Sequence, residues 1–259
     1  MSRLFLKFPG GRNKAFTFSY DDGCPEDRRL TELFRKYNIK GTFNLVSAWK
    51  HEKDIYDGFE IASHGREHLR VDLIRSSNLA MDIIKDREAL ESEFGTIVRG
   101  FAYPGGAYSL EGENMLRALG MAYARSIGKN EWFEIPQNFL VWRPTCHHTI
   151  PHLFELVERY NNWNQVGAAA LFNVWGHSYE FRTEEDWARM EEFIKAIANK
   201  DDVWYASNIE ICDYVLAFNN LKYSIDNTII YNPSALDVWF ENKDGIYCVK
   251  AGQTLKFCE

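Results

Sequence analysis

From Lys14 onward, apolar stretches of five to eight residues alternate with longer segments whose apolar positions recur every three to four residues. The first kind of pattern predicts buried strands and the second amphipathic helices. Lys14 to Asp21 is the first strand. Pro25, at the first turn of a helix, opens a segment running to about Tyr37, with Asn38 near its end. Lys40–Val46 and Gly58–Ala62 are predicted strands. Arg75–Phe94 is a long helix, with Leu79, Ile83, Ile84 and Leu90 on one side and Gly95 as its stop. Thr96–Tyr103 is a strand, Glu113–Leu119 a short helix, and Met121–Arg125 and Phe139–Arg143 are strands. Pro151–Trp163 is a helix, Ala168–Trp175 a strand and Asp202–Ala206 the last strand of the series. Thr183-x-x-Asp186 and Ser207-x-x-Glu210 fit the capping-box pattern, in which the two side chains satisfy each other's free backbone N–H, and each precedes a helix.

Strands alternating with helices over residues 12–219 require a parallel sheet with helical crossovers. At this length the pattern predicts an α/β fold, a distorted (β/α) barrel of about seven parallel strands. After Asn219 the segments become short and alternating: Tyr223–Ile230, Asp237–Glu241, Gly245–Val249 and Thr254–Phe257. They are broken by Asn-Pro, Lys-Asp-Gly and Ala-Gly, which predicts a small C-terminal β extension. The expected division is 1–219 for the barrel and 220–259 for the extension. Trp239 and Tyr247 equip the extension either for the rim of a cleft or for self-association as a homo-oligomer.

Composition narrows the choice of partners. The 259 residues carry 30 Lys plus Arg against 37 Asp plus Glu, a formal net charge of −7. No basic stripe of the kind that tracks a phosphate backbone is present, so no nucleic-acid partner is expected. No apolar run approaches the roughly 18 residues of a membrane span, so no membrane partner is expected either. The opening MSRLFLKFPGGRNKAF has scattered charges and no apolar stretch of the secretory type, from which a cytoplasmic location is expected. Five cysteines stand far apart, with no CxxC pair, and read as reduced thiols.

The polar residues that matter fall at predicted strand ends, where parallel α/β barrels carry their chemistry. Asp21-Asp22-Gly23 ends the first strand, and His64-Gly65-Arg66-Glu67-His68 follows the third. Tyr103-Pro104-Gly105-Gly106, Arg143 and Gly176-His177 end later ones. Taken singly, Asp-Asp-Gly is as good a turn as a site, and H-x-x-x-H is as good a solvated helix face as a metal-binding pair. Together they supply a two-His, one-carboxylate set, which leaves metal positions open to water and substrate. Of two adjacent carboxylates, one can bind a cation while the other accepts a proton from activated water. Pro-Gly-Gly exposes backbone N–H groups to an oxyanion, and His177 can protonate a leaving amine or alcohol. His51, His147, His148 and His152 are expected at surface or supporting positions, the adjacent pair with diverging rings. No G-x-S-x-G elbow, G-x-G-x-x-G or Walker loop is present, which argues against a serine nucleophile and against nucleotide cofactors.

Thr17-Phe18-Ser19-Tyr20-Asp21-Asp22-Gly23, His64-x-x-x-His68, Phe101-Ala102-Tyr103-Pro104-Gly105-Gly106 and Trp175-Gly176-His177 resemble, in order, the motifs of the polysaccharide deacetylases. These are the carbohydrate esterases of family 4, with the chitooligosaccharide deacetylase (NodB) homology domain. The resemblance spans about residues 12–215 and implies a distorted (β/α) barrel and metal-dependent removal of acetyl groups from N- or O-acetylated saccharides. It implies Asp21 as general base, His177 as general acid, and Asp22, His64 and His68 as ligands to a divalent metal. Zinc is the usual metal, with Co2+, Ni2+ or Mn2+ as alternatives for such a ligand set. It also implies the Gly105 N–H at the oxyanion, with Tyr103 and Trp175 contacting substrate. Many members carry Arg where Ala102 stands, Tyr where Gly105 stands, and Ser or Thr where Gly65 stands. Arg143 is the candidate for the missing guanidinium that braces Asp21. Relatives acting on small or cyclic amides, and a catalytically inactive carbohydrate-binding relative, are the competing expectations.

Overall fold

The computed structural model describes residues 4–128, 131–165 and 167–257. In chain order it contains β1 (Phe5–Lys7), β2 (Lys14–Asp22), α1 (Asp27–Lys36), β3 (Gly41–Leu45), β4 (Glu60–Ser63), α2 (Ser76–Phe94), β5 (Gly100–Ala102), α3 (Leu110–Ala118), β6 (Tyr123–Arg125) and β7 (Cys146–His147). There follow α4 (Leu153–Asn161), β8 (Ala170–Gly176), α5 (Glu184–Ile197), β9 (Val203–Tyr205), α6 (Asn208–Asn219), β10 (Lys222–Tyr223), β11 (Ile229–Tyr231), β12 (Val238–Asn242), β13 (Gly245–Val249) and β14 (Thr254–Lys256).

An eight-stranded parallel sheet runs β6-β5-β4-β3-β2-β8-β7, with β9 also pairing β2. It curls into a distorted (β/α) barrel. Every residue of β2 is buried, as befits its central strand, and its two faces differ in chemistry. Phe16, Phe18 and Tyr20 point outward into the helix layer, where Phe18 stacks on Phe34 of α1 at 4.6 Å and meets Phe193 of α5 edge-on at 5.8 Å. Thr17, Ser19 and Asp21 point into the lumen, as the two-residue period of a strand dictates. There the Thr17 hydroxyl donates to Asn208 Oδ1 (3.0 Å), and Asn44 Nδ2 donates to Ser19 Oγ and to Asp21 Oδ1 (both 2.9 Å). The helices therefore rest on an aromatic shell, while the lumen side of β2 is lined by amides, hydroxyls and the Asp21 carboxylate.

The capping box at Thr183 forms as expected, with Asp186 N donating to Thr183 Oγ1 and Thr183 N to Asp186 Oδ2. Gly95 ends α2 in the left-handed conformation, φ 67°. Two expectations are corrected. Phe139–Arg143 is not a strand but a 3-10 turn over Phe139–Val141, with one parallel bridge between Trp142 and Arg125. Asn138 Oδ1 accepts the Leu140 N–H at 3.0 Å, and Pro144 offers no N–H for a continuing ladder, so the segment is buried without pairing as a strand. Tyr223–Ile230 is split into β10 and β11, because Asp226 gathers the Ser224 hydroxyl (2.6 Å) and the Thr228 N–H (3.1 Å) into a tight turn.

The C-terminal residues form two three-stranded antiparallel sheets, β10-β11-β14 and β1-β12-β13. The second recruits the start of the chain, with Phe5 opposite Glu241 and Lys7 opposite Trp239. The extension packs on α6: Tyr214 donates its hydroxyl to the Lys7 carbonyl (2.8 Å) and accepts from the Trp239 N–H (2.9 Å). That is the end of the barrel where β2 begins, so Trp239 lies away from the strand ends that carry His64 and His177 rather than on the rim of a cleft there.

Candidate functional site

Asp21 and Asp22 end β2. Successive strand residues point to opposite faces, yet both carboxylates reach the same imidazole. Asp21 Oδ2 lies 3.9 Å and Asp22 Oδ1 3.5 Å from His64 Nε2. The cause is a left-handed backbone at Asp22, φ 80°, which breaks the alternation and re-aims its side chain. Gly23 continues the turn at φ 77°, packed so close to His51 that a Cβ there would sit 2.5 Å from that ring. His64 follows β4, fully buried, its Nδ1 2.8 Å from the Ala102 carbonyl, so Nε2 is the atom offered to the carboxylates. His68 sits in the following loop at φ 53°, its Nε2 3.6 Å from Asp22 Oδ1. The loop is pinned by Asp82, which accepts the Arg66 and Glu67 N–H groups at 3.0 and 3.1 Å.

Asp22, His64 and His68 thus present three ligand atoms within 4.8 Å of one another. Asp22 Oδ1 is buried without a hydrogen-bond partner, a costly arrangement for a carboxylate oxygen unless a cation answers it. The donor set, one carboxylate and two imidazoles with one imidazole oriented through its far nitrogen, fits a divalent metal of the zinc type.

The guanidinium on Asp21 belongs to Arg125, at the end of β6, and not to Arg143. Arg125 is fully buried, holds both Asp21 oxygens, donates through Nε to Ser19 Oγ (3.1 Å), and lies 4.8 Å from the Trp175 ring centroid. Burial pushes the Asp21 carboxyl up, but Arg125, aided by His64 and His177, holds it below the ordinary aspartate value. Arg143 is exposed instead, 3.4 Å from the Tyr108 hydroxyl, and lines a groove of about 1030 Å³ with Trp132, Phe133 and Trp163. The 3-10 turn that replaced its predicted strand carries it out of the lumen.

His177 follows β8 and lies across the site, Nε2 3.9 Å from Asp22 Oδ2. Its partner is Glu180, one 3-10 turn on. Glu180 Oε2 accepts the His177 N–H at 2.9 Å and approaches Nδ1 at 3.3 Å. Burial opposes charge on His177, yet Glu180 with Asp21 and Asp22 raises its pKa above the usual histidine value. Glu180 in turn is held well below the carboxylate range against its own burial, chiefly by His147 and His177. The His147 and His148 rings do not diverge as the sequence led one to expect. Their centroids lie 4.6 Å apart and both approach Glu180. His152 also has a partner, Glu131 at 3.1 Å.

Gly105 lies in the 3-10 turn after β5 with φ 63°, and a Cβ there would meet Arg70 of the His68 loop at 3.6 Å. Tyr103 is not a substrate contact: it is 1% exposed and donates its hydroxyl to the Leu140 carbonyl at 2.8 Å. Trp175 is partly exposed beside Arg125, its ring 5.7 Å from that of His177. Two aromatics that sequence reasoning passed over flank the cluster. Trp49, 47% exposed, stacks on His68 at 6.0 Å, and Tyr179, 43% exposed, stacks on His177 at 5.0 Å. Both lie within a few residues of a motif histidine in space, which the linear spacing could reveal only for Tyr179.

Comparison with known proteins adds a family to this geometry. Residues 10–124 match the family model described as polysaccharide deacetylase. A search of curated proteins found no match. Among solved structures, the chain is similar to one assigned as a polysaccharide deacetylase from Mycobacterium smegmatis, with a TM-score of 0.64 and 17% identity over 85% of this chain and 96% of that one. It is similar to PuuE allantoinase (TM-score 0.61, 15% identity, 79% and 91% of the two chains). It is also similar to a CE4 family pseudoenzyme from Bacillus anthracis (0.52, 18%, 80% and 68%). At these identities the likeness is one of fold. Among the described residues no helix is long and apolar enough to cross a membrane.

Proposed function

We propose, on the match of residues 10–124 to the polysaccharide deacetylase family model, that the chain is a metal-dependent hydrolase removing acetyl groups from N- or O-acetylated saccharides. The observation that carries this reading is the convergence of Asp21, Asp22, His64, His68 and His177 beyond the ends of β2, β4 and β8, with a buried oxygen of Asp22 left unanswered.

Asp22, His64 and His68 would hold the cation, of the zinc, cobalt, nickel or manganese type. When bound, such a cation supplies polarisation of the acetyl carbonyl and acidification of water. Asp21, kept ionised by Arg125, accepts a proton from the attacking water. The Gly105 N–H is assigned to the carbonyl oxygen as it gains charge. His177, with Glu180 Oε2 3.3 Å from its Nδ1 and on its backbone N–H, gives a proton to the departing nitrogen or oxygen. Trp49, Trp175 and Tyr179 offer ring faces beside the reacting groups, the apolar surface on which a pyranose rests.

The test is acetate release from a panel of acetylated saccharides, with small and cyclic amides alongside, before and after chelation and with zinc restored. Saccharide turnover that stops on chelation and returns with zinc is expected. His68→Ala should lose metal and turnover together. Turnover indifferent to chelation, or His68→Ala with full metal content and rate, would refute the assignment. Activity confined to cyclic amides would move the substrate to the allantoinase-like side, and stoichiometric zinc with no turnover on any panel member would mark a binding protein.

A further inference from the structure

Next to the first cluster lies a second knot of imidazoles that the proposed reaction only partly uses. His147 Nε2 and His177 Nδ1 stand 3.1 and 3.3 Å from Glu180 Oε2, and ligand atoms of all three residues fall within 4.8 Å of one another. A tetrahedral cation with ligands at about 2.0–2.1 Å sets those ligand atoms about 3.4 Å apart. The same spacing separates Asp22 Oδ1 from His64 and His68, at 3.5 and 3.6 Å.

Hydrogen bonding alone leaves this knot unbalanced. Glu180 Oε2 already accepts the His177 backbone N–H. His177 Nδ1 and His148 Nε2 are buried with no hydrogen-bond partner, although each lies within 3.4 Å of that oxygen. His148 is only 4% exposed, sandwiched between Tyr20 and Phe181, with Nδ1 at 3.1 Å from the Tyr20 hydroxyl, so its Nε2 is aimed into the cluster. His147 is oriented in the same sense, its Nδ1 2.7 Å from Thr149 Oγ1, with the Thr149 N–H more distant at 3.3 Å. His147 and His148, each held through Nδ1 with Nε2 turned to Glu180, are oriented as a cation site requires.

We propose that His147, His177 and Glu180, backed by His148, form a second site for a divalent cation of the zinc type, whose filling suppresses hydrolysis. The suppression rests on the reading of His177 as proton donor. A cation on Nδ1 takes the place of a proton at that nitrogen, and the imidazole can then no longer carry two protons. The second site is expected to be the weaker, because Glu180 Oε2 already accepts the His177 N–H whereas Asp22 Oδ1 has no hydrogen bond to give up.

Titration of the metal-free full chain with Zn2+ by calorimetry, repeated with Co2+ and followed by its visible absorption, tests the site directly. Two equivalents are expected, the second weaker, with acetate release rising through the first and falling about 10²-fold or more through the second. His147→Ala should keep the first equivalent, lose the second, and lose the fall. Its retained first equivalent reports that the fold survives, and His147→Gln repeats the test with a bulkier side chain. Saturation at one equivalent, or two equivalents with unchanged inhibition in both His147 variants, would overturn the proposal. An Asp22→Asn chain that loses only the tighter equivalent keeps the two assignments separate. If wild type lacks that tighter equivalent, the hydrolase reading fails while the His147-dependent one is still judged by its own variants.

Discussion

Replacing Arg125 by methionine separates what the lumen pair does for stability from what it does for chemistry. The substitution keeps an unbranched side chain in the packed interior but removes the guanidinium that holds both oxygens of Asp21 and contacts Ser19. Asp21 is 3% exposed, so its charge would have no solvent to turn to. Breaking one side of such a buried pair costs about 3–5 kcal/mol, because the surviving ion stays desolvated. The carboxylate has one escape, which is to take up a proton. In the wild type, Arg125 holds its pKa below the unfolded value, which stabilises the fold above the unfolded pKa and is lost as pH falls through the folded one. Without Arg125, burial raises the pKa instead, so the variant is penalised at neutral pH and regains stability on acidification. The gap between the two proteins should therefore be widest near pH 7 and narrow toward about pH 4. Urea unfolding of chelator-treated protein, followed by tryptophan fluorescence between pH 4 and 8, measures it. Turnover should fall by about 10²-fold or more at neutral pH, as expected for loss of an ionised general base. Arg143→Ala is the control, an exposed change expected within about 0.5 kcal/mol and without effect on rate. A loss under about 1 kcal/mol in Arg125→Met, or a gap that stays constant with pH, would refute the reasoning.

Two further changes probe the neighbourhood of His148. Burial, with His147 adding, presses its pKa down to about 3. The unfolded chain thus takes up a proton first, and stability drains away as pH falls from about 6.5, by up to about 1.4 kcal/mol per unit. His148→Phe keeps a ring between Tyr20 and Phe181 and should flatten that slope in urea midpoints between pH 4 and 6.5. An unchanged slope would remove His148 as its source. Gly176→Ala would bring a methyl carbon to 2.0 Å from His148 Nδ1, so a buried ring must shift, at about 1–3 kcal/mol. An unaltered melting temperature would show that the ring gives way freely.

The parts of the site legible in the sequence were those whose meaning is local. Asp21-Asp22 at a strand end and His64 four residues before His68 carry their geometry in their spacing, and alternation of strand and helix gave the barrel. Arg125 lies 104 residues from Asp21, and nothing along the chain joins them. Both Arg125 and Arg143 ended predicted strands, and only the collapse of one of those strands into a 3-10 turn decides which guanidinium enters the lumen. Tyr103 sits inside a motif, but its place depends on a carbonyl of Leu140 that the motif does not contain. The crowding of His147, His148 and His177 around Glu180 was likewise invisible, since it needs β7 and β8 side by side in register, Cys146 opposite Val174 and His147 opposite Trp175.

The pairing of β1 with β12 turns the beginning and the end of the described chain into a clasp. A piece starting at Lys14 would strip the β1-β12-β13 sheet of an edge and, by removing the buried Phe8, uncover the Trp204 and Tyr214 rings it packs against. A piece stopping at Asn219 would orphan β1 and uncover Tyr214, whose hydroxyl ties Lys7 to Trp239. Trimming to the barrel is therefore not a neutral shortening, and a circular permutant that keeps both halves of the clasp is the gentler way to relocate the termini.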